Sequence, residues 1–313
     1  MFTTFIRLPL VLALALASSA AFAAPKIGVL LKARTPFWSA AEKGAIEAGE
    51  KAGAEVVVKA PLSESDISVQ IQLLNALAAQ GCEAIVIAPI NKEALAVPIA
   101  SLGVKGVKIV VIDTPLSGKA APVFVGTDQE AAGKAAGALL ARLVAEGEEV
   151  SFLKHAQTGG ATTQREIGAL AAFRAVHANN AIHADIYAGV EAGKEIEKAR
   201  LLLTQYPKTK AILASSTPAT MAMIQALQEK NLAGSIRLVG FGFNLNPEVA
   251  AALETGALSG WIAQQPKEMA FRGVTAALSL LKGETVPAVV HTDFVVITKE
   301  SLTEADVQAL LAL

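Results

Sequence analysis

Short, almost unbroken apolar runs alternate along this chain with longer segments whose apolar residues recur at helical spacing. Strands buried on both faces of a parallel sheet need continuous apolar runs, and the helices flanking such a sheet need one apolar face. The alternation therefore predicts an α/β fold. The elements predicted in the first half are strand Lys26–Leu31, helix Pro36–Gly53, strand Ala54–Val58, helix Ile67–Gln80, strand Glu83–Pro89, a helix near Lys92–Leu102 and strand Val107–Asp113.

The same alternation starts again in the second half, with no Pro- or Ser-rich linker between the halves. Two similar halves predict two doubly wound, parallel-sheet lobes, an arrangement suited to hinge closure on a ligand. Ligands of such sheets bind at the carboxyl ends of the strands, so the residues directly after each apolar run are the site candidates. The elements predicted here are helix Gln129–Gly147, strand Glu149–Lys154, helix Thr162–Asn179, strand Ala184–Ala188, helix Gly193–Tyr206, strand Ala211–Ser215, helix Ala219–Asn231 and strand Ile236–Phe241.

The amino terminus has the pattern of a cleaved signal peptide. Arg7 supplies a basic start, Leu8–Leu16 is a compact apolar run, and Ala21–Ala23 is a small-x-small triplet of the kind that signal peptidase recognises. The apolar run is too short to span roughly 30 Å of hydrocarbon, which argues against a membrane anchor. No cysteine follows the run, which excludes a lipid-anchored terminus. We therefore expect export to the periplasm with cleavage after Ala23.

Composition narrows the picture further. The 313 residues are 53% hydrophobic and 18% charged, and a chain of this length is expected to form two domains. The formal net charge of -1 gives no general attraction to nucleic acid or anionic lipid, so we expect no nucleic-acid partner. Cys82 is the only cysteine, so an internal disulfide is impossible and a buried, unreactive thiol is expected.

The sequence lacks the motifs of common enzyme and cofactor sites. The glycines of Gly126–Gly133 have six residues between them, and Ala135 follows the lysine, so no P-loop forms. Gly240–Gly242 begins a dinucleotide motif that Leu245 breaks. The four histidines form no i, i+4 pair and no cluster with cysteine, so no metal site is expected. His155 follows a strand, where we expect a polar residue lining a cleft rather than a general base. Neither enzymatic activity nor a cofactor is therefore expected.

Four short motifs carry a resemblance to a known family. They are Thr35–Trp38 at the entry to the first helix, Val110–Asp113 at a strand end, Thr162–Gly168 at a helix start, and Ile262–Pro266. In their order and spacing the chain resembles the ribose-binding-protein group of sugar-type periplasmic binding proteins, whose fold is shared by the sensor domains of the Lac repressor family. The resemblance covers essentially the whole mature chain. It implies a type I periplasmic binding protein, with two lobes joined by a three-segment hinge.

The resemblance also implies roles for individual residues. Phe37 and Trp38 would stack on a sugar ring, although for either one a place in the core is the alternative. Asp113 would accept hydrogen bonds from ligand hydroxyls. Arg165 would reach the ligand across the cleft, and the alternative is a surface pair with a glutamate. The ligand-binding residues implied in this way are Thr35, Phe37, Trp38, Asp113, Thr114, Arg165, Lys194, Ser216, Gly242 and Gln264.

Several positions depart from the family pattern. Thr114 follows Asp113 where ribose-type members usually have arginine, and Gly242 stands where a sugar-binding aspartate is usual. If Arg34, Arg165 and Lys194 all approached the cleft, the site would be net cationic. That hypothesis favours a ligand with fewer hydroxyls than a pentose, or one with a carboxylate. A neutral sugar or polyol remains the ligand that the resemblance implies.

Three segments, near Thr127, Gln264 and His291, should cross between the lobes. The predicted division assigns residues 24–126 and 265–291 to the amino-terminal lobe, and residues 127–263 and 292–313 to the carboxyl-terminal lobe. Closure of the lobes would bury the ligand and change the surface that meets a membrane partner.

The function implied is the periplasmic solute-binding component of an ABC importer, acting as a monomer with a permease as its partner. A binding protein that signals to a membrane receptor or histidine kinase is the alternative, which the sequence leaves open. A regulator of the Lac repressor type would need a DNA-binding headpiece before the first strand. The first strand begins at Lys26, directly after the signal peptide.

Overall fold

The structure is a computed structural model, and it describes residues 24–116, 123–157, 160–191 and 193–308. The signal peptide predicted for the first 23 residues lies outside the described residues. Within the described residues, no helix is long and apolar enough to cross a membrane.

The strands and helices alternate as the apolar pattern predicts. The strands are β1 Lys26–Leu30, β2 Glu55–Lys59, β3 Ala84–Ile87, β4 Lys108–Ile112, β5 Val123–Thr127, β6 Glu149–Lys154, β7 Ile182–Tyr187, β8 Thr209–Ala214, β9 Arg237–Gly242, β10 Gly260–Gln264, β11 Val289–Thr292 and β12 Phe294–Ile297. The helices are α1 Pro36–Ala52, α2 Ile67–Ala79, α3 Ala96–Val104, α4 Gln129–Arg142, α5 Gly160–Val176, α6 Lys194–Gln205, α7 Thr217–Glu229, α8 Pro247–Thr255, α9 Pro266–Leu281 and α10 Ala305–Gln308.

Two six-stranded sheets organise the chain. The first has the order β11-β5-β4-β3-β1-β2, and all of its pairs are parallel. The second has the order β12-β10-β9-β8-β6-β7 and is parallel except for the β10–β12 pair. We call the layers around the first sheet the first lobe and those around the second sheet the second lobe. The predicted α/β fold with two doubly wound lobes is confirmed.

The chain passes between the sheets at three places: between β5 and α4, between β10 and α9, and between β11 and β12. Helix α9 therefore packs on α1 and on the first sheet, although β10, which directly precedes it, belongs to the second sheet. Gly44 makes this packing close, because a Cβ there would overlap the backbone carbonyl of Lys267. The lobe boundaries themselves stay a prediction.

Each sheet is covered on both faces by an apolar layer. In the first lobe, α1 and α9 contribute residues such as Ala45 and Val274 to one face, and α2 and α3 contribute Leu74 and Ile99 to the other. In the second lobe, one face is covered by α4 and α5 and the other by α6, α7 and α8. Burial on both faces is why the strands appear in the sequence as unbroken apolar runs. The unpaired thiol of Cys82 is buried at the edge of this core.

Some element bounds differ from the predicted ones. The helix predicted near Lys92–Leu102 begins only at Ala96. The Asn91 side chain accepts hydrogen bonds from two backbone N–H groups, at Glu93 and Ala94, and so holds the preceding residues in a turn. Strand β5 is not among the predicted strands, because its apolar run is interrupted within five residues by Gly126.

Candidate functional site

A cavity of about 360 Å³ lies between the lobes, where the carboxyl ends of the two sheets face each other. Its lining comes mainly from the loops and helix starts that follow the strands, as expected of open α/β sheets. The lining residues are Lys32, Thr35, Pro36, Phe37, Trp38, Glu64, Ser65, Ile67, Ile90, Asp113, His155, Ala156, Ala161, Thr162, Arg165, Val190, Ser216, Thr217, Pro218, Phe243 and Gln264.

Asp113 is the buried acid at the end of β4. Its backbone is left-handed, with φ of 64°, which is uncommon for a residue other than glycine and indicates local strain. Lys32, which follows β1, donates from Nζ to Oδ2 of Asp113 at 2.5 Å and to Oγ1 of Thr114 at 2.7 Å. Thr114 in turn donates to the same carboxylate at 2.9 Å. The carboxylate is therefore neutralised within its own lobe, and both of these hydrogen bonds fall on Oδ2.

Arg165 is the buried cation of the second lobe, with 3% of its surface exposed. Its Nε and Nη2 donate to Oε1 of Gln129 at 3.0 and 2.6 Å, and Nη2 also donates to Oε1 of Gln264 at 2.9 Å. Nη1 donates to the backbone carbonyl of Ser215 at 2.6 Å. The guanidinium also stacks on Phe241, with 4.3 Å from Cζ to the ring centroid. All of these hydrogen-bond acceptors are uncharged oxygens.

The position of Arg165 is fixed by close packing of α4 against α5. A Cβ at Gly133 would overlap the backbone carbonyl of Arg165, and one at Gly137 would overlap that of Ala169. Burial lowers the pKa of Arg165 to about 10, while the charges of Asp113 and Glu166 act in the opposite direction. The guanidinium therefore stays protonated at neutral pH.

Glu64 brings a second carboxylate into the cavity from the loop between β2 and α2. Its Oε1 accepts a hydrogen bond from Nε1 of Trp38 at 3.0 Å, and its Oε2 lies 3.8 Å from Nε2 of His155 in the second lobe. Burial raises the pKa of Glu64. The contact with His155, the charge of Lys32 and the Trp38 hydrogen bond outweigh this and lower the pKa to about 2.

Aromatic rings form the apolar part of the lining. Phe37 contacts Trp38 edge-on at 4.9 Å between ring centroids and contacts Phe243 of the second lobe at 5.6 Å. Trp38 is only 3% exposed, and it belongs both to the apolar core of the first lobe and to the cavity lining. Together with the Glu64–His155 contact, the Phe37–Phe243 contact shows that the two lobes touch across the cleft.

The structure brings most of the sequence-predicted residues to one cavity. Those in the lining are Thr35, Phe37, Trp38, Asp113, Arg165, Ser216 and Gln264. Thr114 lies behind the lining, where its hydroxyl accepts a hydrogen bond from Lys32 and donates one to Asp113. Their ligand-binding roles stay predictions.

Two of the predicted residues lie elsewhere. Lys194 begins α6 with an exposed side chain, and its Nζ lies 3.4 Å from Glu197 rather than in the cleft. Gly242 ends β9 behind the lining, because a side chain there would overlap the ring of Trp261. Arg34, on which the net-cationic hypothesis also depended, lines a separate small pocket.

Sequence reasoning missed several residues of the cavity. Lys32 directly follows the predicted strand Lys26–Leu31, so the strand-end rule applied to every strand would have found it. Phe243 follows β9 in the same way. Glu64 lies five residues beyond the end of β2, in a loop whose path no local pattern predicts. Gln129 was assigned only to the start of a helix, and its contact with Arg165 spans 36 residues.

Comparison with known proteins identifies the family. The sequence profile described as a periplasmic binding protein domain matches residues 27–285, which is most of the chain. The chain belongs to the periplasmic binding protein family. The resemblance inferred from the short motifs is therefore confirmed. Within the described residues of this periplasmic binding protein, no group of three or more His, Cys, Asp or Glu side chains is arranged to hold a metal ion.

Relatives cover nearly the full length of this periplasmic binding protein. It is 28% identical over 280 residues to the D-allose-binding periplasmic protein of Escherichia coli, covering 86% of this chain and 89% of that protein. It is 26% identical to the ribose import binding protein RbsB of Salmonella typhimurium, covering 87% and 90% respectively. A carbohydrate transporter solute-binding protein from Agrobacterium radiobacter, solved with D-arabinose, superposes with a TM-score of 0.87 at 28% identity, covering 93% of this chain and all of that one.

Proposed function

We propose that this protein is the periplasmic solute-binding component of an ABC importer and that it captures a neutral sugar in the cleft between its lobes. The observation that carries the proposal is the mixed lining of the interlobe cavity, in which aromatic rings lie beside acidic acceptors and a guanidinium. Sugar rings need this combination, since their C–H faces pack on aromatic rings while their hydroxyls both donate and accept hydrogen bonds.

The charges of the lining favour a neutral ligand over an acidic one. Lys32 and Arg165 supply two positive charges, and Glu64 and Asp113 supply two negative ones, so the charges of these four groups sum to zero. A ligand carboxylate would lie near two acids, which costs free energy. Since Arg34 and Lys194 are outside the lining, the cationic site considered from the sequence has no support here.

The relatives support the same ligand class, since their names and bound ligands are ribose, allose and arabinose. In the proposed cycle the ligand stabilises the closed arrangement, in which Phe37 meets Phe243 and Glu64 meets His155. The closed protein then docks on a permease. Export by a signal peptide cleaved after Ala23, action as a monomer, and lobe boundaries at the three crossings are parts of this proposal. No catalytic step is part of it.

Thermal unfolding of the mature protein, from Ala24 onward, tests the proposal. The ligands are D-ribose, D-allose, D-arabinose, D-fucose, D-tagatose, a polyol and two sugar acids. A ligand at about a thousand times its Kd stabilises the native state by roughly 4 kcal/mol, which raises the Tm by about 8–16 °C. We expect such a rise with at least one neutral sugar. A rise with the sugar acids alone would overturn the neutral-ligand part, and no rise with any compound would overturn sugar capture.

A further inference from the structure

The two sides of the cavity offer different hydrogen-bonding groups to a ligand. The first lobe contributes both of the lining carboxylates, Asp113 and Glu64. In the second lobe, β9 ends at Gly242, where any side chain would overlap the ring of Trp261. That ring is fully buried, and its Nε1 donates to the backbone carbonyl of Asn244 at 3.0 Å, so it does not swing away freely. The end of β9 therefore cannot supply an acid to this cavity.

The carboxylate of Glu64 is placed so that it can accept a further hydrogen bond. Nε1 of Trp38 holds Oε1 at 3.0 Å, which fixes the direction of the carboxylate. Oε2 lies 3.8 Å from His155 Nε2, which is too long for a direct hydrogen bond. A carboxylate offers about four lone-pair positions, so Oε2 keeps sites for a further donor. The lowered pKa of about 2 means that Glu64 stays an acceptor at neutral pH.

His155 defines what can approach Glu64 from the opposite lobe. Its backbone N–H donates to Oγ of Ser215 at 3.0 Å, which anchors the residue at the end of β6. Its ring is mostly buried, with 12% of the side chain exposed, and its Nδ1 has no hydrogen-bond partner among the described residues. A group placed beside both Oε2 and Nε2 must therefore donate to the carboxylate and tolerate an imidazole, as a hydroxyl does.

We propose that Glu64 is a specificity-determining acid of the sugar site, which accepts a hydrogen bond from one sugar hydroxyl at the place where His155 faces it. This inference rests on the proposed function, because it concerns the same cavity and the same class of ligand. It assigns the second acid of the site to a loop of the first lobe rather than to a strand end of the second.

The experiment is a calorimetric titration of wild-type protein and of Glu64→Gln with D-ribose, D-allose, D-arabinose, D-fucose and D-tagatose. Glu64→Gln keeps the shape of the side chain and removes its charge. The expected loss of affinity is about 10- to 100-fold for the sugar that binds tightest, as for a hydrogen bond to a charged group. Glu50→Gln, on the exposed face of α1, is the matched control and should bind as the wild type does. Tm values within about 2 °C of each other verify that the variants are folded.

A second comparison separates a direct contact from an indirect role through Trp38. The monodeoxy derivatives of the tightest-binding sugar are titrated into wild type, Glu64→Gln and Trp38→Phe. If Glu64 accepts from one hydroxyl, removal of that hydroxyl weakens binding to the wild type by about 10-fold or more but changes binding to Glu64→Gln little. Trp38→Phe should keep this selectivity. Equal weakening of every derivative by Glu64→Gln would show that Glu64 only positions Trp38.

The outcomes distinguish this inference from the proposed function. If the wild type binds a sugar and Glu64→Gln binds it equally well, the assignment of Glu64 is wrong and sugar capture stands. If the wild type binds none of the five sugars, sugar capture fails and the assignment fails with it.

Discussion

The two sides of the cleft each bury a charged group, but they compensate it in different ways. In the first lobe, the carboxylate of Asp113 is neutralised by Lys32, whose Nζ lies 2.5 Å away. In the second lobe, Arg165 is held by the uncharged oxygens of Gln129, Gln264 and Ser215. In the first lobe, one positive charge (Lys32) and two negative charges (Asp113 and Glu64) line the cavity, which gives a sum of -1. In the second lobe, Arg165 contributes a charge of +1.

This difference indicates a division of tasks between the lobes. A charge paired within its lobe is stable whether the cleft is open or closed, so the Lys32–Asp113 pair serves mainly as a fixed acceptor. A guanidinium held by amides keeps its charge available to the opposite lobe and to a ligand. Removing a partner should therefore cost folding stability on the first side, and it should cost ligand affinity on the second.

The largest effect is expected from Lys32→Met. This change leaves the Asp113 carboxylate buried without its cation, which typically costs about 3–5 kcal/mol. The free energy of unfolding in urea should fall by that amount. Lys32→Met combined with Asp113→Asn should recover more than half of the loss, because the uncompensated charge is then gone. A loss of less than about 1 kcal/mol in the single variant would show that the pair is not buried in solution.

A smaller effect, and one on binding rather than folding, is expected from Arg165→Lys. Lysine keeps the positive charge but loses the planar fork that contacts Gln129 and Gln264 together. We expect sugar affinity to fall by about 2 kcal/mol, or roughly 30-fold, as measured by calorimetry. Lys267→Arg, at the exposed start of α9, is the control for a basic exchange outside the cavity. Unchanged affinity in Arg165→Lys would mean that only the charge matters.

Gln129→Ala removes an acceptor of Arg165 and should lower sugar affinity less than Arg165→Lys does. Nε and Nη2 of Arg165 both donate to Oε1 of Gln129, and the change removes both of these hydrogen bonds. The guanidinium is then free to turn. Sugar affinity should fall by about 1–2 kcal/mol. The stability effect should stay below that of Lys32→Met. Should Gln129→Ala instead destabilise the fold more than Lys32→Met does, the division of tasks between the lobes would be reversed.

The smallest effect concerns the pH dependence that Glu64 contributes. Its folded-state pKa of about 2 is below its unfolded value, so it contributes stability that is fully present above about pH 5. That contribution is lost as the pH falls towards 2. The difference in stability between wild type and Glu64→Gln should therefore be about 1 kcal/mol at pH 5 and shrink as the pH falls below 5. A difference that grows on acidification would contradict the lowered pKa.

The sequence predicted the alternation of strands and helices because burial on both faces leaves a local signal in every strand. The family resemblance implied Asp113 and Ser216, and both lie in the cavity lining. Glu64 and Gln129 reach the site through loop geometry and through contacts across the fold, and such contacts leave no periodic signal. Lys194 was implied only by the family resemblance, and its side chain pairs on its own helix with Glu197.

The opposite charges of the two sides of the cleft are expected to form a site for a neutral sugar. Calorimetric titration with D-allose and D-alluronate and with D-galactose and D-galacturonate checks this, because the members of each pair differ only in the group at C6. Any neutral sugar that binds should do so at least about 100-fold more tightly than its acid, because the acid must place its charge beside Asp113 and Glu64. Tighter binding of the acid in either pair would contradict this expectation.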